Sequence, residues 1–150
     1  MTDLILLAPL LDGPRHGYQL KKEAGLAQGQ AELHNNLVYP LLRRFAARGW
    51  VRQREIPGER GQMRRLYTLT SAGKAELARR LAAFSGRDAQ SSGAFQLRAS
   101  LFAILDPASR QRILAAREEF LAKREESLCR TLQHFRPAQF PAEVIRFRLR

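Results

Sequence analysis

The sequence predicts a mostly helical fold with one small β-hairpin, followed by a helical C-terminal region. Three observations carry this. Apolar residues recur at helical spacing in several segments bounded by capping residues or Gly/Pro stops. Two short runs, residues 50–56 (WVRQREI) and 64–69 (RRLYTL), flank the turn-rich PGERGQ at 57–62 and read as paired strands. A small, polar stretch at 85–93 (SGRDAQSSG) holds two glycines and divides the chain into residues 1–85 and 93–150.

The elements follow in order. Residues 2–11 form a short helix that is apolar nearly all round, which suits burial between other elements. Asp12-Gly13-Pro14 stops it. A second short helix spans about His16 to Ala24, with His16 capping or satisfying its start. A loop with Gly25 and Gly29 follows. Residues 34–49 (HNNLVYPLLRRFAARG) form a third helix, capped by Asn35 or Asn36 and closed by Gly49. Leu37, Val38, Leu41, Leu42 and Phe45 make its apolar face. Asn36, Tyr39 and Arg43 step by three and four on the opposite face, and Asn35 joins them through Tyr39. Pro40 lies within about a turn of the start, where it costs at most an early backbone bond.

In the hairpin, Leu66 is the inward residue of the second strand, with Tyr67 as a further inward candidate, and Trp50 opens the first strand as a core residue. Thr70 or Ser71 caps a helix to about Phe84. After the polar stretch a helix runs from about Ala94 to Leu105. Asp106-Pro107 starts a long one reaching about Phe135. Its apolar pairs Ile113/Leu114 and Phe120/Leu121, then Leu128, repeat every seven residues. Arg136-Pro137 ends it. The last helix, from Pro141, has no stop signal, so the chain is expected to be open to continuation past Arg150.

Charge narrows the partners. Lys and Arg number 26 against 14 Asp and Glu, a net charge of +12, which favours a polyanion such as nucleic acid or a membrane surface. Both halves share the excess, so motifs must decide which half meets it. The single Cys129 permits no internal disulfide or Cys-rich metal site and fits a reducing cytoplasm. The Leu4–Leu11 run lacks a basic leader, carries Asp3 and breaks at Asp12, unlike a signal peptide. Nothing approaches the ~18 apolar residues of a membrane span, so no membrane partner is expected.

Helix, helix, capped helix, hairpin, helix is the layout of a winged helix-turn-helix. Its third helix enters the major groove of duplex DNA and its wing reaches the backbone or minor groove. Asn35, Asn36, Tyr39 and Arg43 offer the polar face such a helix needs. Asn suits adenine and Arg suits guanine. Arg60, Gln62, Arg64 and Arg65 surround Gly58 and Gly61 in a basic wing suited to phosphate contact. Arg44, Lys21 and Lys22 add backbone ligands. The plainer alternatives are an amphipathic helix with a solvated polar side and a charged hairpin tip. The hairpin directly after the helix favours the DNA reading.

PRHGYQL at 14–20, VYPLLRRFAARGWV at 38–51 and RRLYTLTSAGKAEL at 64–77 together resemble the PadR family of winged-helix regulators, over about residues 4–84. The family pattern is matched by Tyr39-Pro40 in the third helix and by Tyr67, Leu69, Thr70 and Gly73 after the wing. His34-Asn35-Asn36 stands where such proteins often carry a Ser- or Gly-containing segment, which leaves the operator sequence open. The resemblance implies a transcription regulator and a helical C-terminal dimerisation region. Independently, the seam on the long helix is too narrow to be a domain core by itself and needs a partner helix. The expected dimer residues are Leu101, Ile113, Leu114, Phe120, Leu121 and Leu128. The resemblance also permits a small aromatic effector near the dimer interface, with Phe95, Phe102 and Phe120 as candidate lining.

Catalysis finds no footing. His16, His34 and His134 show no metal-ligand spacing, no serine has nucleophile-elbow glycines, and no glycine-rich phosphate loop is present. No cofactor is expected. The expectation is a homodimeric, sequence-specific DNA-binding regulator, a repressor on an inverted-repeat operator. The rivals are a winged helix used for protein or RNA contact, and a small-molecule-binding dimer with weak DNA affinity.

Overall fold

A computed structural model describes residues 2–58, 61–134 and 140–149. Arg60, Phe135, the Arg136-Pro137 stop and Arg150 lie outside the described residues. The chain forms two compact units, residues 1–83 with 97–105, and residues 84–96 with 106–150.

The first unit begins with α1 (Thr2–Leu7) and a 3-10 turn (Ala8–Asp12). Leu4, Ile5, Leu6 and Leu7 are all buried, as an element apolar on every side requires. The helices α2 (Gly17–Leu26) and α3 (Asn35–Ala47) follow. The wing strands are β2 (Val51–Pro57) and β3 (Met63–Leu69), and α4 (Ser71–Ala82) comes next. Among the described residues the sheet has three strands, not the two of a hairpin. Residues Arg15–His16 form β1, which pairs antiparallel with β3, Arg15 opposite Tyr67 and His16 opposite Leu66. Two residues ahead of a helix carry no period-2 signal, so this strand has no signature in the sequence.

The core of this unit gathers Leu6, Leu7, Leu20, Val38, Leu42, Phe45, Tyr67, Leu77 and Leu81. Two sequence expectations change. Tyr67, and not Leu66, is the fully buried residue of β3, because the strand alternation puts Tyr67 on the same face as buried Val51. Leu37 is exposed at the first turn of α3 while Val38, Leu41, Leu42 and Phe45 are covered. Thr70 caps α4, its hydroxyl oxygen accepting from the Gly73 amide at 3.0 Å.

Charge pairs tie α4 to α1. Glu76 accepts from Arg79 and Arg80 at 2.6–2.8 Å, and Arg80 reaches Asp3 at 2.6 Å. Those two guanidiniums hold the Glu76 carboxyl down at about 2. A carboxylate depressed in the fold contributes stability above its ordinary value of 4.5 and loses it as pH falls toward 2. Glu76→Gln is therefore expected to cost roughly 1 kcal/mol at pH 7, discounted for the exposure of Arg79. The gap to the parent protein should close between pH 4.5 and about 2. Denaturant melts of both proteins across that range check it. A gap that stays constant refutes the pairing.

In the second unit, the expected polar boundary at 85–93 contains a short helix, α5 (Gly86–Gln90). Ser85 and Asp88 cap it reciprocally, Ser85 amide to Asp88 Oδ2 at 2.9 Å and Asp88 amide to Ser85 Oγ at 3.2 Å. A helix of this length gives no periodic signal, which is why the segment reads as a linker. Next, α6 (Ser92–Ser100) begins in the second unit and ends in the first, to which a 3-10 turn (Phe102–Ile104) also belongs, and α7 (Pro107–Gln133) and α8 (Phe140–Arg148) complete the second unit. Asp106 caps α7, accepting from the Ser109 amide at 2.8 Å, with Pro107 at the first helical position. Arg117 on α7 donates to the Ala89 carbonyl and, at 3.0 Å, to Ser92 Oγ, and α5 packs on α7. No described helix is long and apolar enough to cross a membrane.

Candidate nucleic-acid interface

The polar face of α3 is set by its own sequence. His34, extended at φ −69° and ψ 141°, is the N-cap in place of the expected Asn35 or Asn36. Its carbonyl accepts from the Leu37 and Val38 amides at 3.0 and 3.2 Å. Both asparagines thus fall inside the first turn and are exposed. Pro40 sits in the second turn, exposed, and removes only the amide that would bond Asn36. Arg43 is exposed one turn further on.

Tyr39 differs from these. It is half-buried, its ring seated on Gly17 so closely that a Cβ there would lie 2.9 Å from Cε1. Gly17 therefore lets the start of α2 abut the middle of α3. Gly17 and Tyr39 both line a cleft of about 740 Å³ between helices and wing. His16, Tyr18, Gln19, Tyr39, Arg64 and Arg65 are among its walls. Tyr18 is 62% exposed at its mouth. In the sequence Tyr18 and Gln19 stand out only as part of the PRHGYQL motif. Their place beside the third helix depends on the three-stranded sheet, which the sequence does not signal. His16 has its backbone amide on Gln19 Oε1 at 2.8 Å and its ring Nδ1 3.4 Å from the Arg65 carbonyl.

Tyr67 forms the floor. Burial raises its phenol above the usual value, against the lowering pull of Arg65 and Arg43. It stays a neutral phenol at physiological pH.

The wing is closed by Gly58 amide to Gln62 carbonyl at 2.8 Å and Gly61 amide to Gly58 carbonyl at 3.1 Å. Gly61 has φ +73°, a conformation natural to glycine. Gln62, Arg64 and Arg65 are exposed. Arg65 faces Glu55 across the strands at 3.5 Å. The register puts Arg52, Arg54 and Arg64 on the opposite face of the sheet. Arg52 and Arg54, read from sequence only as strand residues, add exposed cations there.

Two expected phosphate ligands are engaged elsewhere. Lys21 is buried, with its ammonium 2.8 Å from Glu32 and 3.2 Å from Asn35 Oδ1. Arg44 is exposed but bonded to both oxygens of Asp3 at 3.2 Å. Neither pairing is visible from spacing, because both bridge separate elements. Lys22 is exposed.

The seam on α7 is divided. Ile113 is fully buried by the chain itself, so it is spent before any partner arrives. Leu101 belongs to the first unit. Phe120 is half-buried under Arg117, whose guanidinium lies 5.4 Å from its ring and 5.6 Å from that of Phe95. Phe102 groups with the first unit, so the three candidate effector aromatics are not gathered in one unit. Leu114 and Leu121 are each 48% exposed, and Leu128 is half-buried. Trp50 is only half-buried, flanked by Arg48 and Arg80 at 4.9 and 4.7 Å. Among the described residues no three His, Cys, Asp or Glu side chains cluster as a metal site.

Residues 6–79 match the model of the transcriptional regulator PadR-like family. A Thermoplasma acidophilum protein assigned as a transcriptional regulator is 30% identical, over 68% of this chain and 86% of that one, with a TM-score of 0.49. A PadR family transcriptional regulator from Eggerthella lenta is 28% identical, over 50% of this chain and 63% of its own, at 0.44. Bacillus subtilis PadR, solved in complex with operator DNA, is 19% identical. The match covers 98% of this chain and 91% of that one, with a TM-score of 0.50, and is a likeness of fold. No curated protein matches the chain.

Proposed function

The chain belongs to the transcriptional regulator PadR-like family, and from that premise we propose that it represses transcription as a homodimer bound to an inverted-repeat operator. The carrying observation is the exposed face of Asn36 and Arg43 beside a cleft whose far wall is the basic wing. Arg43 reads a base edge in the major groove. Arg64, with Lys22, Arg52 and Arg54, neutralises backbone phosphates. Tyr18 and Tyr39 wall the cleft between the two contacts. The match to a fold solved on operator DNA supports this docking. Residues up to about 85 bind DNA, and the region after about 93 carries the dimer contact through Leu114, Leu121 and Leu128. Two-fold symmetry puts the half-sites about one helical turn, roughly 34–36 Å, or a multiple apart. Such a protein works in a reducing cytoplasm, where the exposed thiol of Cys129 persists.

Selection of duplexes from a random pool tests DNA binding, symmetry and spacing together. An enriched palindrome is the expected result. Selection of no duplex, or of RNA alone, overturns the reading. Two substitutions should separate by mechanism. Arg43→Ala is expected to relax preference at one base position, by about 1–3 kcal/mol. Arg64→Ala is expected to weaken all duplexes alike and to make the slope of log K against log salt shallower by about 0.9. Titrations at several salt concentrations read both. Unchanged slope in the Arg64 variant removes it from the phosphate contacts.

A further inference from the structure

Residue type alone pairs Asn35 with adenine. That pairing needs the amide to offer oxygen and nitrogen side by side, accepting from N6 and donating to N7. In the structure the oxygen is already engaged. Lys21 Nζ donates to Asn35 Oδ1 at 3.2 Å, and Glu32 Oε1 holds the same ammonium at 2.8 Å. The Lys21 side chain is only 11% exposed and lies 5.9 Å from the Tyr18 ring centroid. The Leu33 amide donates to the Lys21 carbonyl at 3.1 Å, so the loop that delivers Asn35 is tied to the same residue. An ammonium can only donate, so the amide oxygen must face it and the NH₂ must be the other end. Asn35 itself is exposed. What it presents outward is a pair of N–H donors, fixed in direction by the Lys21–Glu32 ion pair that holds its oxygen.

The geometry points to Asn35 as a phosphate contact that carries no base preference, with Lys21 as the positioning residue that fixes it. This rests on the DNA-binding reading above. An outward pair of donors suits an anionic oxygen better than a base edge that itself offers a donor. The contact therefore sets register on the duplex and leaves sequence to Arg43 and its neighbours. Lys21 acts through Asn35 and Glu32 without reaching DNA.

The test uses the full chain, the selected operator and a scrambled duplex. Asn35→Ala is expected to weaken both duplexes by about the same factor, roughly tenfold, with the sequences selected from a random pool unchanged. Asn35→Asp keeps an oxygen for Lys21 but offers acceptors only, so it should lose at least as much. Lys21→Met should reproduce the Asn35→Ala loss, and the double variant should be no worse than either single one, since one contact is removed in each case. The Asn35 variants change an exposed side chain and decide the matter even if Lys21→Met does not fold. Loss of preference for one base in the Asn35→Ala selection overturns the proposal in favour of base reading. Unchanged affinity in both Asn35 variants overturns it in favour of no contact. If the parent protein selects no duplex at all, the underlying DNA reading fails, which is a separate result from either.

Discussion

Gly73→Ala is expected to destabilise the first unit by about 3 kcal/mol, at the top of the range for forcing one carbon into a packed site. A Cβ at this position would stand 2.0 Å from the Trp50 carbonyl oxygen and 2.8 Å from Leu69 Cδ1. The obstruction is backbone and cannot rotate away. That carbonyl is also the anchor of the wing base. It accepts from the Thr70 amide at 3.0 Å and lies 3.0 Å from the Thr70 hydroxyl, which reaches the Gly49 carbonyl at 2.6 Å. Relieving the clash requires α4 to withdraw from the start of β2, loosening the bonds that set the wing against α3. Denaturant unfolding should show a lower midpoint with an unchanged slope. Gly93→Ala is the control. A Cβ there meets nothing within 4 Å, and alanine is the better helix former by roughly 1 kcal/mol. Equal stability for the parent and Gly73→Ala proteins rules out the close approach.

Leu114→Asp with Leu121→Asp is expected to yield monomers and to reduce operator affinity at least a hundredfold. Both side chains are half exposed on α7 and seven residues apart, a spacing that aligns them for a partner helix. In a monomer the two aspartates remain in water and cost little. In a dimer they bring like charges into an apolar seam. Linking two half-site contacts multiplies affinity by about 10²–10⁴ without new contacts, and separation of the protomers forfeits that factor. Light scattering after size exclusion reads the mass, and a titration with full and half operators reads the affinity. A variant that stays dimeric at micromolar concentration moves the interface elsewhere. Ile113→Asp should behave differently, losing folded protein at once, because Ile113 is fully buried within the chain.

Legibility in the sequence followed the range of the interactions. Capped helices announced themselves locally, as Thr70 and Asp106 did for α4 and α7. The wing strands showed in two short runs around PGERGQ. What escaped depended on long-range partners. Arg15–His16 becomes a strand only because β3 offers an edge. Tyr67 outranks Leu66 in burial only once the register is set. Lys21 and Arg44 look like free cations until Glu32 and Asp3 are brought to them. The amphipathic character of α3 is legible in its own spacing, with Val38, Leu41, Leu42 and Phe45 buried and Asn36 and Arg43 exposed. Which of its polar residues stay free could not be read from it, because that is settled by neighbours outside the helix.

The allocation of segments between the two units bears on how this protein can be made and cut. Residues 84–96 group with the second unit and 97–105 with the first, so the chain leaves the first unit, returns to it and leaves again. Arg98, on the returning segment, donates to the carbonyls of Leu81 and Ala83 at 3.1 Å. A fragment ending near residue 85 therefore lacks the donors that close the end of α4. On the ribosome the same dependence holds in time. The first unit stays unfinished until residue 105 has emerged, by which point part of the other unit has already been synthesised.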